Sequence, residues 1–580
     1  MAGEFQVSGA NKAALFTLKL HRGDGMLLLA MNWKKGKPPQ DFVGFAIEYK
    51  EPKGTKFFSL KNRLAFPGSE GAVNANTLST RLSPIQKFRW VHFPRNAEMA
   101  GAFVYRVTPV FMNPAGELSY GEAQDAAIEL QRETYPDQLN VTFTRGFVSS
   151  QAFVDRYGAD AIATLLPAQA DAGLDFVPTH PQADEALAWM GFEARSAILE
   201  VLDQAIADKK ALVRAVVYDL NEPSIVSRME KLGSRLQIII DDEGAHGAAS
   251  SSETLAAQRL AASAGAQNVK RQHMGSLQHN KTIVVDGPKV QAAVCGSTNH
   301  SWRGFFVQNN NAIILRGKGV VKLFRTAFDN YWGNDNKPAV FGATISASWQ
   351  KLGLKGITAQ IGFSPRTKKN AVLQSIADDI GTGTQSSLFF SLAFLYQTPG
   401  PIRTAIKTLQ KDKKVFSYGI SDHAVGDLKA PDTQGLDLQK PDGSVTLVQP
   451  AALTGKNVPE PFKSEPVGGG GTRMHHKFVV IDFDKPTARV YMGSFNFSGA
   501  ADTSNGENLL LIQDRRIAVS YVVEALRIFD HYHFRVMQAD AAAKQKVLTL
   551  ALPPQISSEA AWWEEDYTDP RKARDRELFA

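Results

Sequence analysis

The chain has 580 residues, 43% hydrophobic and 21% charged; this is too long for a single core, and the composition excludes disordered and fibrous classes. A single cysteine, Cys295, excludes an internal disulfide framework and any cysteine-based zinc cluster, as expected in a reducing compartment. Lys and Arg outnumber Asp and Glu by 65 to 58, a net charge of +7 that favours an anionic partner without choosing between nucleic acid and an acidic lipid surface.

The first thirty residues scatter charges among their apolar positions, and no window of about eighteen residues is apolar throughout. A soluble, cytoplasmic protein is expected. Residues 1–140 read as strands: "AALFTLKL", "MLLLAMNW", "DFVGFAIEYK", "KFFSLK", "KFRWVHF" and "GAFVYRVTPVF" run apolar or alternate between Gly, Pro and Asn punctuation. Short strands with turns every ten or so residues predict two packed antiparallel sheets. The stretch "AFVYRVTPVFMNPAGELSYGEAQ" resembles the last hairpin of a fibronectin type III or immunoglobulin-like sandwich. Such a module would serve as a spacer or dock a protein partner.

From about residue 185 helices alternate with strands, an α/β pattern. "EALAWMGFEARSAILEVLDQAIA" has helical spacing, "ALVRAVVYDL" is a buried strand, "SIVSRMEKLG" a helix stopped by Gly, and "LQIIID" a strand. The second half repeats the course with "AVLQSIADDIG", "SSLFFSLAFL", "PIRTAIKTLQK" and "VFSYGISD". The chain reads as internally duplicated. The expected domains are the sandwich (1–140), a first lobe with its linker (141–345), a second lobe (346–545), and a tail (546–580) packed on the lobes.

The repeat is sharpest in "LQHNKTIVVD" and "MHHKFVVID". His279, Lys281 and Asp286 recur as His475, Lys477 and Asp482, displaced by 196; Gly296, Ser297 and Asn299 recur as Gly493, Ser494 and Asn496, displaced by 197. Side chains i and i+2 of a strand share a face, so each half pairs a histidine with a lysine, and the returning strand delivers a serine with an asparagine. Asp286 and Asp482 fall at odd offsets at the far end of the strand, before a turn. A structural role is expected for both.

Two such halves about a pseudo-twofold axis would gather two histidines, two lysines and two asparagines around one anion-sized space. Ammonium and amide groups would hold the non-bridging oxygens of a phosphodiester. One histidine would attack phosphorus, while the other would protonate the leaving oxygen and then activate water. Histidine suits both tasks because its unperturbed pKa of about 6.5 leaves both forms accessible. No metal and no cofactor enter this chemistry.

These residues identify the chain as similar to the phospholipase D superfamily, whose pattern is HxKxxxxD followed by GSxN. Both copies are complete here, "HNKTIVVD…GSTN" and "HHKFVVID…GSFN", over about residues 185–540. The resemblance implies duplicated α/β/α lobes with an active site complete in one chain. It also implies an acid eleven positions after the GSxN asparagine; the second half has Glu507, the first has Asn310. In the family the acid of the C-terminal motif orients the histidine of the N-terminal one, which implies that Glu507 fixes His279 as nucleophile and Asn310 serves His475 as general acid. From the residues alone the assignment stays open, because a carboxylate also raises an imidazole's pKa and so could suit the acid.

Three substrate readings follow. "GSFNFSGAADTSNGENLLLI" resembles the bacterial nucleases of the superfamily, and the basic stretches "NVKRQH" (268–273), "RTKKN" (366–370) and "KDKK" (411–414) could track a nucleic acid backbone. Trp302, Phe305, Phe306, Phe495 and Phe497 could stack on bases, with core packing the better expectation for the phenylalanines. A phospholipase D or phosphatidyltransferase at a phospholipid surface is the alternative; the insertions 242–276 and 422–474 do not look lipid-seeking, leaving Trp562 and Trp563 of the tail as the possible interfacial patch. A phosphate-binding scaffold is the third. His273 and His423 are expected at the surface, "GGGGT" (468–472) as a flap rather than a phosphate-binding loop, and Cys295 as a buried filler.

Overall fold

The computed structural model describes residues 4–68, 78–130, 133–146, 150–410, 412, 414–421, 436–439, 445–448, 474–543, 545–556 and 558–580. "GGGGT", His423, most of the insertion 422–474, and Lys411 and Lys413 of the third basic stretch lie outside the described residues. The chain forms two compact units, one of Met1–Thr134 with Val519–Ala580 and one of Tyr135–Ala518.

The first unit is built on antiparallel strands. Phe16–Arg22 pairs with Leu27–Trp33 and that with Arg89–His92; Phe42–Lys50 pairs with Ala102–Met112. Each strand anticipated from the alternation is present. Phe16, Leu18, Leu20, Leu27 and Leu29 from one sheet and Phe45, Ile47, Phe103, Tyr105 and Val107 from the other are buried in one shared core, as two sheets face to face require. The tail, expected on the lobes, contributes Ala561 and Trp563 to this core, and Trp562 packs against it and donates Nε1–H to the Phe42 carbonyl at 2.9 Å. The two tryptophans, read as a possible lipid-facing patch, are therefore structural. Large aromatic area is more strongly driven into a core than onto a surface.

The second unit holds two mixed sheets. In the first the order is Leu139–Phe143, Asn311–Arg316, Gln291–Gly296, Lys281–Asp286, Leu212–Val217, Leu236–Ile240, Val269–Arg271. Leu139–Phe143 belongs here, so the boundary falls a few residues before the expected 140. In the second, Thr358–Ser364, Glu507–Gln513, Arg489–Gly493, Lys477–Ile481, Ser387–Leu392 and Phe416–Ser421 follow one another. The pairings match one for one in sense: four antiparallel, then one parallel. Near-continuous apolar runs such as Ile283–Val284–Val285 and Phe478–Val479–Val480 suit strands covered on both faces.

The helices obey local signals. Pro223–Leu232 starts with Pro in its first turn, is capped by the Glu222 side chain accepting from Ile225 N at 2.8 Å, and stops at Gly233 with φ 58°. Ala183–Ala207, expected as one helix, is broken at Phe192, where φ is 46° and ψ −140°. The Arg145 guanidinium lies 4.2 Å from that ring's centroid.

Candidate active site

In each sheet of the second unit four chain segments end at one place: the exit of the central parallel strand, the entry of the motif strand, the exit of its return partner, and the entry of the next. The registers Val217 with Lys281, and Gly296 with Ala312, set this in the first sheet; Leu392 with Lys477, and Gly493 with Leu509, set it in the second. The exits need glycine. Gly296 and Gly493 have φ of 126° and 149°, and a Cβ there would lie 2.6 Å from the Asn311 carbonyl oxygen and 2.2 Å from that of Asn508.

The two halves meet by exchanging hydrogen bonds. His279 Nδ1 contacts both Glu507 oxygens, at 3.0 and 2.9 Å, while His475 Nδ1 contacts Asn310 Oδ1 at 2.8 Å. The next residues repeat the exchange: Asn508 Nδ2 donates to Asn280 Oδ1 at 3.1 Å, and Asn311 Nδ2 lies 3.3 Å from His476 Nδ1. The imidazoles of His279 and His475 stand 6.4 Å apart, centroid to centroid, with planes at 72°. Because each Nδ1 is engaged, Nε2 is the nitrogen each ring has left for a substrate.

Both orienting groups are themselves fixed. Glu507, wholly buried, accepts from Ser494 Oγ at 2.6 Å and Asn505 Nδ2 at 3.2 Å. Asn310 accepts from Ser297 Oγ at 2.9 Å and donates Nδ2 to the Gly304 carbonyl at 2.9 Å, which turns its oxygen toward His475. That oxygen can only accept, so His475 carries its proton on Nδ1. The motif serines thus hold the residues that hold the histidines.

Lys281 and Lys477 donate to the carbonyls of His279 and His475 at 2.6 and 2.7 Å. Both ammonium groups act on both rings: burial first, then the two lysines, hold His279 and His475 well below the usual imidazole range. Burial pulls Lys281 down to about 8 against the opposing pull of Glu507, and pushes Glu507 up to about 8 against that of Lys281. A charge buried here is favoured chiefly by another charge, the property of a site built to receive an anion.

Asn299 is 3% exposed and donates Nδ2 to Asp219 Oδ2 at 2.6 Å, while its Oδ1 is buried and has no partner among the described residues; Asn496 Oδ1 is likewise unpartnered. Asp219 was not anticipated, nor were its companions. His246 bridges Asp219 Oδ1 at 3.2 Å and Asp241 Oδ2 at 2.9 Å, and the Tyr218 ring lies 4.5 Å from His246 and 4.8 Å from His279. Burial opposes a charge on His246, but the two carboxylates outweigh it and hold the imidazolium up to about 10. Asp219, His246 and Glu253 have ligand atoms within 4.8 Å of one another; with both nitrogens of His246 turned to carboxylates, the ring is an ion-pair partner here. The signal for Asp219 was its place just beyond the end of an apolar parallel strand, where α/β sites form.

Asp286 and Asp482 lie at the far ends of their strands. Asp286 pairs with Arg325 at 2.8 Å; Asp482 accepts from Gln385 N, Ser386 N and Ser386 Oγ at 2.9, 2.8 and 3.1 Å. The expected backbone track is largely absent from the first two basic stretches. Lys270 is bound to the Trp332 carbonyl and Asp335, Arg271 to Thr254 and to the carbonyls of Asp241 and His246, and Arg366, 8% exposed, to Asp502. Lys368 and Lys369 are exposed. Trp302, Phe305, Phe306, Phe495 and Phe497 are all buried, and Trp302 Nε1 donates to the Ala170 carbonyl, so base stacking gives way to core packing. Cys295 is buried as expected; His273 is only partly exposed and lies 2.7 Å from Asp242.

Two like sheets that cross-brace a pair of histidine–lysine motifs define a shared-site class of protein. A family model described as "Cardiolipin synthase, PLD-like domain" matches residues 202–332 and 451–529. Phospholipases D of Rickettsia felis and Rickettsia prowazekii are each 48% identical over 48 residues, 8% of this chain. The matched stretch spans 22% of the length of those relatives. Among solved structures, the phosphatidylserine synthase of Haemophilus influenzae aligns over 61% of this chain and 92% of its own, with 12% identity and a TM-score of 0.40. Nuc of Salmonella typhimurium, a phospholipase D family member, aligns over 24% and 89%, with 23% identity and a TM-score of 0.20. Over the two matched segments, which carry both motifs, the chain has a phospholipase D-like domain.

Proposed function

We propose that the chain is a metal-independent phosphodiesterase working through a phosphohistidine on His279, and that the two sheets of the second unit are duplicated lobes about a pseudo-twofold axis. The observation that carries the reading is the pair of Nδ1-anchored imidazoles 6.4 Å apart, each with its lysine. His279 Nε2 attacks phosphorus, the P–N bond forms as the P–O bond to the leaving alcohol breaks, and protonated His475 gives its Nε2 proton to the departing oxygen. Neutral His475 then takes a proton from water as water attacks phosphorus and the P–N bond breaks. Lys281 and Lys477, with the amide nitrogens of Asn496 and of Asn299, whose second hydrogen is not taken by Asp219, hold the non-bridging oxygens and offset the charge of the transition state.

The roles follow from the orienting groups. When His279 Nε2 is phosphorylated the ring becomes cationic, and the Glu507 carboxylate at 2.9 Å offsets that charge. His475, backed by a neutral amide, gains no such compensation and gives up its proton readily, as a general acid must.

For the substrate, the proposal is a nucleic acid strand, supported by the +7 charge, the exposed Lys368 and Lys369, and the stretch "GSFNFSGAADTSNGENLLLI". A phospholipid is the second reading, favoured by the description of the matching family model. No helix among the described residues is long and apolar enough to cross a membrane. The N-terminal sheets are proposed as a fibronectin III or immunoglobulin-like accessory domain that docks a partner. The deciding assay supplies labelled DNA, RNA and phosphatidylglycerol vesicles in EDTA to wild type and to the His279→Ala, His475→Ala double variant. Strand cleavage lost in the double variant supports the nuclease; headgroup release with intact strands makes it a lipid enzyme; activity absent in EDTA and restored by a divalent ion overturns the mechanism.

A further inference from the structure

The cluster of Asp219, His246 and Asp241 beside His279 is absent from the mechanism above and has no like carboxylate at the matching position among the described residues of the second half. Val217 faces Lys281 and Leu392 faces Lys477, so the position matching Asp219, two residues on, is Phe394. Asp219 is anionic, kept so against burial by His246 and Lys281, and a carboxylate can only accept hydrogen bonds. Asn299 must therefore turn its amide nitrogen to Asp219, as it does at 2.6 Å, which points its oxygen away and leaves it buried without a partner among the described residues. His246, held by Asp241, keeps Asp219 from swinging out. The result is a rigid pair of acceptors, Asp219 carboxylate and Asn299 Oδ1, next to the first-half histidine and lysine.

Asp219 lies close enough to Lys281 to act on it, so a strand with its phosphate between His279 and His475 would place a sugar beside that pair. Phosphate oxygens, the ring oxygen and both ester oxygens accept but do not donate; the ribose 2′-hydroxyl is the one donor on a sugar–phosphate backbone. Deoxyribose would leave Asn299 Oδ1 desolvated and unpaired beside added negative charge, since both Asp219 oxygens already have donors in His246 and Asn299. We propose that Asp219 and Asn299 form an acceptor subsite for the 2′-hydroxyl flanking the scissile phosphate, and that the chain cleaves RNA in preference to DNA. The inference rests on the nuclease reading.

The test uses the full chain and single-stranded oligonucleotides of one sequence carrying 2′-hydroxyl, 2′-deoxy or 2′-fluoro sugars, with bis(p-nitrophenyl) phosphate as a sugar-free substrate. The expected kcat/KM for the ribo strand exceeds that for either other strand by at least about tenfold, the weight of one hydrogen bond to a charged acceptor. Asp219→Asn should bring the ribo-to-deoxy ratio to within about twofold, with an unchanged melting curve as the measure that the variant is folded. Equal cleavage of all three strands by wild type overturns the inference and leaves the nuclease standing, as does a ribo preference shared by the fluoro strand. A ribo preference unaltered by Asp219→Asn removes Asp219 from the subsite. Turnover of bis(p-nitrophenyl) phosphate with every strand intact overturns the nuclease reading, and the inference with it.

Discussion

Replacing Glu507 by Gln keeps the side chain's shape and removes its charge. The carboxylate lies 2.9 Å from His279 Nδ1 and is wholly buried. Two unit charges at that separation interact by about 6 kcal/mol at an effective dielectric near 20, of which the amide, still able to accept from Nδ1, retains about 1 kcal/mol as a neutral hydrogen bond. The partners Ser494 and Asn505 must also re-pair with an amide, while the desolvation of a buried carboxylate is relieved. The difference left for the cationic phosphohistidine is about 3–4 kcal/mol, or about 10²–10³ in the rate of its formation at 1.36 kcal/mol per decade. Single-turnover cleavage of bis(p-nitrophenyl) phosphate, with acid-labile, alkali-stable protein-bound phosphate counted in quenched samples, measures that rate directly. KM should move by less than about threefold, since the charge matters only once the P–N bond forms. A Glu507→Gln rate within threefold of wild type, in protein whose melting curve is unchanged, would refute the assignment of His279 as nucleophile.

Other outcomes separate the remaining roles. His475→Ala should accumulate phosphoenzyme from a p-nitrophenyl ester, which needs no acid, whereas His279→Ala should form none; the reverse pattern exchanges the two histidines. Activity should decline on the alkaline side, because burial lowers the pKa at which Lys281 loses its proton. Lys281→Arg, in whatever turnover it retains, should carry that alkaline limb upward by more than one unit, because a guanidinium stays charged, and pH–rate profiles of the two proteins decide it. Asp482→Ala strands the backbone donors Gln385 N and Ser386 N that now meet one buried carboxylate and should lower stability by about 3 kcal/mol in a denaturant titration. Asp482→Asn, which tolerates the φ of 53° and keeps an acceptor, should cost about half as much.

The motif residues were legible because periodicity two and a fixed displacement both act at short range along the chain. His279 and His475 lie just before the strands that Lys281 and Lys477 begin, and the motif serines and asparagines just beyond the return strands, while Asp286 and Asp482 make structural bonds at the far ends. What failed depended on partners distant in sequence. Lys270 and Arg271 read as a free basic stretch, but Asp335 and the Asp241 and His246 carbonyls, brought near only by the sheet, take up their charge. Trp562 and Trp563 read as a possible interfacial patch because the partners that cover Trp562, Phe42 and Phe88, lie more than 470 residues earlier. Asp219 was passed over because one carboxylate after an apolar strand has no pattern; its meaning comes from Asn299 and His246 in other segments.

The asymmetry between the halves has a physical logic that the matching strand orders make visible. A perfectly twofold site would give both histidines the same partner and hence the same proton affinity, and a displacement that needs one unprotonated nucleophile and one protonated acid would then spend half its population in the wrong arrangement. Glu507 opposite Asn310 removes that degeneracy at the level of charge. Asp219 opposite Phe394 does so again at the level of the substrate, placing an acceptor beside one histidine and an apolar ring near the other lysine. If the first difference sets which histidine is phosphorylated, the second sets which side of the phosphodiester faces it. Exchanging them one at a time, Asn310→Asp for the chemistry and Phe394→Asp for the sugar preference, should therefore alter the pH profile and the ribo-to-deoxy ratio independently; a single variant that moved both would mean that orientation and proton affinity are set by one and the same group.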